Sequence, residues 1–145
     1  MIALIQRVAN ASVVVKGKNI GEIEQGIVAL IGVEKNDQHS NADRLLERLL
    51  GYRIFSDVDD KMNLSLQDTQ GGLLLVPQFT LAADTRKGKR PSFSSAAPPE
   101  KGEQLFNYFV NQSQQKYPQV ATGQFGADMK VYLCNDGPVT FWLNA

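Results

Sequence analysis

The chain has 145 residues, 43% of them apolar and 21% charged, which fits one globular domain and excludes long disorder. Fifteen basic and fifteen acidic residues cancel, so no global positive field exists to hold a DNA duplex. Contact with a nucleic acid must be local, or aimed at a strand end.

Cys134 is the only cysteine, which excludes an intramolecular disulfide and every multi-cysteine zinc pattern. Its place in the run Val131-Tyr132-Leu133-Cys134 predicts a buried, inert thiol. The opening residues Met1 to Arg7 lack the basic and apolar segments of a secretory signal, and no run reaches the ~18 apolar residues of a membrane span. The expected compartment is the cytoplasm.

Val- and Ile-rich runs predict strands over residues 2–8, 12–16, 19–24 and 26–33, with glycines as punctuation. Ala42, Leu45, Leu46, Leu49 and Leu50 then make an apolar face at helical spacing. Ser40 and Asp43 fit a capping box before it, and Gly51 can end it. A short strand is expected at 52–55, followed by a solvated turn at Asp57, Asp59 and Asp60. That turn fails as a calcium loop, because the ligand spacing is wrong.

The unbroken apolar run Leu73 to Val76 predicts a central strand buried on both faces. Residues 82–97 form a long loop carrying Arg86, Lys87, Lys89 and Arg90, and long loops in compact domains tend to be functional. Pro98-Pro99 opens a second helix in which Leu105 meets Phe109 and Phe106 meets Val110. Strands at 120–124, 129–135 and 139–143 close the chain. The expected fold is a β-rich, mixed α/β single domain over residues 1–145 with two main helices.

Most catalytic templates fail here. The single histidine, His39, sits among Asp37, Gln38 and Ser40 and reads as an exposed pre-helix turn. A multi-histidine metal site is excluded, and no phosphate loop or dinucleotide turn is present. No motif asks for a metal or a cofactor.

Two segments remain. Pro77-Gln78-Phe79-Thr80-Leu81 follows the central strand, where open sheets place ligands. The backbone N–H groups of Phe79 and Thr80 leave the sheet there and can face a carbonyl oxygen. The plainer alternative is a strand end whose amide and hydroxyl cap the loop. Asn135-Asp136-Gly137-Pro138-Val139-Thr140 carries an Asp-Gly-Pro turn signal.

Together these segments resemble the D-aminoacyl-tRNA deacylase family, once described as D-tyrosyl-tRNA deacylases. The likeness runs through Gln6-Arg7-Val8, Gln78-Phe79-Thr80-Leu81, Arg90-Pro91-Ser92-Phe93, Ala127-Asp128-Met129 and Asn135 to Thr140, in the family's order and spacing. It implies a three-layer β/β/α fold and a homodimer in which a cis Gly137-Pro138 reaches into the partner's active site, buttressed by Arg7. It further implies that Gln78, Phe79, Thr80 and Met129 line a pocket for the terminal adenosine and aminoacyl group of tRNA. Where the family carries Ser before Gln-Phe-Thr, this chain has Pro77, which removes a hydroxyl and an N–H.

Such residues suit chiral selection. A main-chain wall placed where an L side chain would project rejects L-substrates without reading side-chain identity. Glycine has nothing to clash, so glycyl-tRNA is expected to be partly accepted. Two rival classes stand beside this one. One is a catalytically silent RNA-end binder using Arg86, Lys87, Lys89 and Arg90; the other is an esterase with Thr80 as nucleophile.

Overall fold

The computed structural model describes residues 1–145. Its first strand organises the rest. Strand β1 (Ile2–Val15) turns into β2 (Lys18–Ile23) through Lys16 and Gly17. Both turn residues have positive φ, 48° and 76°, the geometry whose twist matches a two-residue hairpin. β2 pairs with the second half of β1, from Ala11 opposite Ile23 to Val15 opposite Lys18. Strand β3 (Gly26–Gly32) pairs with the first half, from Ile2 opposite Gly32 to Val8 opposite Gly26.

Helix α1 (His39–Leu50) follows. Its buried stripe is Ala42, Leu45, Leu46, Leu49 and Leu50, the spacing that puts one face on a sheet. Full burial of each such leucine is worth about 1.5–3 kcal/mol against leaving it exposed. The helix begins earlier than the Ser40–Asp43 pairing predicts. Asn41 Oδ1 accepts the Gln38 N–H at 2.9 Å, so His39 is already helical.

The expected strand at 52–55 is mostly absent. Only Phe55–Ser56 (β4) pairs, with β5 (Met62–Leu64), while Ile54 is buried without a ladder. Asp57 organises the tip between them, its Oδ1 accepting N–H bonds from Asp59 and Lys61. A short helix that the sequence reading lacks, α2 (Leu66–Thr69), comes next, capped by Ser65 and Asp68.

β6 (Gly72–Pro77) runs parallel to β3, and β7 (Val120–Thr122) runs parallel to β6. Between them lies α3 (Pro99–Lys116). Gly102, Leu105, Phe106, Phe109 and Ser113 form its buried stripe. Strand β8 (Met129–Asn144) lies along the other edge of β1. The sequence divides β1 and β8 into two strands each, whereas each is continuous. Ala9 and Asn10 hid the continuity of β1, because both are exposed where the strand leaves the main core.

Two cores define three layers. The larger packs Ala3, Ile5, Ala29 and Leu75 of the sheet against α1 and α3. The smaller closes Val8, Ala11, Val13 and Val15 of β1 onto Val28, Leu74 and Val76. These last residues alternate with the first set along β3 and β6, so they occupy the opposite face. The far half of β1, with its partners, therefore folds over the sheet to give β/β/α. This mixed α/β domain agrees with the fold expected from sequence. No helix is long and apolar enough to cross a membrane.

One close approach fixes the parallel pair. A Cβ on Gly26 would stand 1.9 Å from the Gly72 carbonyl oxygen, and backbone cannot yield as a side-chain tip does. Gly26→Ala is expected to lower unfolding stability by about 3 kcal/mol or more. A urea midpoint equal to wild type would contradict this packing.

Candidate active site

The site forms where β6 runs out. The Gln78 N–H donates the last sheet bond, to the Ile31 carbonyl at 2.7 Å. The chain then tightens into a 3₁₀ turn over Phe79–Ala82, whose Leu81 N–H meets the Gln78 carbonyl at 3.2 Å. The N–H groups of Phe79 and Thr80 precede that bond and have no acceptor within the turn. Gln78 Nε2 donates to Thr80 Oγ1 at 2.5 Å. An amide donor, not a base, therefore stands beside the threonine hydroxyl.

A cavity of about 470 Å³ opens here, lined by Pro77, Gln78, Phe79, Phe106, Phe125 and Met129 among others. Glycines shape its walls. A Cβ on Gly123 would lie 2.8 Å from Met129 Sδ, and one on Gly102 would lie 3.2 Å from Phe125 Cζ. The Met129 sulfur accepts the Gln124 N–H at 3.3 Å. At the mouth Phe79, 56% exposed, packs against Phe93 with centroids 5.1 Å apart. The cavity thus offers aromatic and apolar walls with one polar rim, the pattern of a small-molecule site.

Arg7, Gly137 and Pro138 form a second group that does not line this cavity. The Gly137–Pro138 bond is cis. Arg7, 13% exposed along its side chain, donates from Nε to the Asp136 carbonyl at 3.1 Å and from Nη1 to the Ile54 carbonyl at 2.8 Å. Gly137 has φ +134°, which favours glycine. A Cβ there would stand 2.6 Å from Val139 Cγ2 and 3.3 Å from Arg7 Nη2. The segment read as a turn is instead an exposed excursion within β8.

The basic loop is closed at its base by Asp84 and Ser92, whose backbones exchange two hydrogen bonds of 2.8 and 3.0 Å. Arg86 grips Asp84 through Nε and Nη2 at 2.9 and 2.7 Å. The Arg86 bonds hold the Asp84 carboxyl well below the usual carboxylate range. Lys87, Lys89 and Arg90 are exposed and form no ion pair. The two remaining candidates lie elsewhere. His39 packs on Tyr108 at 4.2 Å, on the helical layer. Cys134 is exposed, contrary to the expected burial, because it alternates outward with Lys130 and Tyr132.

Phe125, Phe106 and Phe93 escaped the sequence reading as site residues. Phe125 has a visible signal, an aromatic between Gly123 and Gly126. Phe106 has none, since helix periodicity accounts for it.

The model of the D-Tyr-tRNA(Tyr) deacylase family matches residues 4–144. The chain belongs to this family. It is 62% identical over 143 residues to the D-aminoacyl-tRNA deacylase of Janthinobacterium sp. (strain Marseille), covering 99% of this chain and 96% of that one. With the D-aminoacyl-tRNA deacylase of Haemophilus influenzae (strain PittGG) it shares 61% identity over 144 residues, 99% of both. A solved structure titled c-Myc DNA Unwinding Element Binding Protein is 38% identical, with a TM-score of 0.96 over 100% of this chain and 99% of that one. A probable eukaryotic D-amino acid tRNA deacylase shares the fold, at a TM-score of 0.82 and 17% identity over 99% and 98% of the chains.

Proposed function

We propose that this chain hydrolyses the ester joining a D-amino acid to the terminal ribose of tRNA, releasing free amino acid and tRNA. Family membership across residues 4–144 carries the reading. The cavity at the end of β6 supplies a place for the reaction. Water attacks the ester carbonyl carbon, the bond to the ribose oxygen breaks, and that oxygen leaves with a proton.

The chain's part is position and electrostatics. Phe79 and Thr80 offer backbone N–H groups to the developing oxyanion, and losing one such donor typically costs about 10²–10³ in rate. Thr80 is not the nucleophile. A threonine hydroxyl needs a base in reach, and its side-chain partner is the Gln78 amide. The ribose 2′-hydroxyl next to the ester orients the attacking water instead. Phe79, Phe93 and Met129 suit a stacked base, and neither a metal nor a cofactor enters the scheme.

Gly137 and Pro138 form the chiral wall, with Arg7 behind them. They stand outside the cavity of their own chain, which supports a homodimer whose partner completes each site. Trp142, Leu4 and Leu30 lie side by side across three strands, and Trp142 is 52% exposed. A second copy would cover that row. The wall rejects L side chains; glycyl-tRNA, having none, is partly hydrolysed. Lys87, Lys89 and Arg90 meet acceptor-end phosphates, and the enzyme works in the cytoplasm.

With matched substrates, D-aminoacyl-tRNA is expected to be deacylated while the L-form survives. Thr80→Ala keeps substantial activity, and tRNA ending in 2′-deoxyadenosine is cleaved poorly. Equal rates on both enantiomers would refute the chiral reading, and a trapped acyl-threonine would refute the mechanism.

Subunit composition is testable by co-expression. Gly137→Ala and Gln78→Ala are each expected to be weak alone. Mixed dimers hold one intact site of two, so the pair should recover about a quarter of wild-type activity by symmetry. No recovery would argue for a site built within one chain.

Salt dependence tests the loop. Replacing Lys87, Lys89 and Arg90 by Ala should flatten the log–log salt slope of tRNA binding by roughly 0.7–0.9 for each phosphate no longer neutralised. Arg86→Ala should change it less, because Arg86 is already held by Asp84. An unchanged slope in the triple variant would leave these cations as solvated surface.

A further inference from the structure

Strands β1 and β8 pair residue for residue except at two adjacent places: Ala9 is one extra residue on β1, and the larger break lies opposite Arg7. Gln6 lies opposite Thr140 and Val8 opposite Asn135. Residues 136–139 of β8 thus face Arg7 alone, and Asp136, Gly137, Pro138 and Val139 have no Cα partners in this ladder. Side chains hold the excursion instead. Arg7 grips its first half through the Asp136 carbonyl.

The second half is held from within. Asn135 Oδ1 accepts the Val139 N–H at 3.1 Å, spanning Gly137 and Pro138 from base to base. Asn135 Nδ2 donates to Thr140 Oγ1 at 3.1 Å, and Gln6 Nε2 donates to the same oxygen at 3.2 Å. The asparagine amide is thereby fixed at both ends. Its orientation follows from this: the oxygen must face Val139, and the nitrogen must face Thr140. Val139 is buried and anchors the excursion's return to the core. A segment that excludes substrates by position needs both feet pinned, because a sub-ångström shift changes what it excludes.

We infer that Asn135, seated on Thr140, is a positioning residue that sets the chiral selectivity of Gly137–Pro138. This rests on the reading of that pair as the chiral wall. Arg7 fixes one foot and Asn135 the other. The chemistry at the cavity does not involve either side chain.

The test compares kcat/KM for D- and L-aminoacyl-tRNA in wild type, Asn135→Ala, Asn135→Asp and Thr140→Val. Asn135→Ala should lower the D-over-L ratio about tenfold, the effect of roughly one hydrogen bond. Thr140→Val should lower it less. Asn135→Asp keeps the acceptor for Val139 and should retain most of the ratio. A merely structural role would reduce both rates together and leave the ratio alone. Wild type that does not prefer D-substrates would overturn the wall reading and this inference with it. A D-selective wild type whose ratio is unchanged in both Asn135→Ala and Thr140→Val would overturn this inference only. Should Asn135→Ala not fold, an unchanged ratio in Thr140→Val decides against it.

Discussion

The antiparallel contact between β1 and β8 is the constraint on which the molecule depends. β1 serves β3 with its first half and β2 with its second, while β8 follows its other edge on both sides of residues 136–139. One strand therefore belongs to both β layers, and the smaller core exists because it crosses from one to the other. The same pairing creates the excursion at residues 136–139. A ladder with continuous register would have paired Gly137 and Pro138 with β1 as part of an ordinary strand. The break in register holds them exposed, with Arg7 on one side and Asn135 on the other.

Much of this was legible where a periodic pattern coincided with burial. The leucines of α1 and the run at Leu73 to Leu75 led directly to their places, because one physical demand, apolar burial, fixed both pattern and position. Legibility failed where long-range pairing overrode a local signal. Asp-Gly-Pro is turn chemistry by any local rule, yet pairing with β1 on both sides carries β8 through it. Cys134 sits in an apolar-looking run, yet alternation against β1 turns it outward. The cap of α1 moved because Asn41 reaches back to Gln38, an equally short path that composition does not rank.

The candidate site divides in the same way. Phe79 and Thr80 were readable as residues that leave a strand end with free N–H donors, since a central apolar run must pass into a loop where its strand stops. That Met129, far along the chain, shares their cavity follows only from topology. β6 and the start of β8 converge on one opening. Phe106 and Phe125 enter by the same convergence, one from a helix stripe and one from a glycine-flanked turn. Pro77 lines the cavity too, so this position is an apolar wall.

A site with no basic side chain on its hydroxyl has a consequence for how selectivity and rate are separated. In the proposed scheme the substrate brings the group that orients water, and the protein brings fixed dipoles and shape. Rate then depends on Phe79 and Thr80 N–H groups held by the 3₁₀ turn after Gln78. Selectivity depends on a segment pinned by other residues altogether. Because the two devices share no side chain, substitutions in the wall can relax chirality without dismantling the oxyanion donors. An enzyme that must accept many side chains and refuse one handedness gains from that division, since neither device has to read side-chain identity.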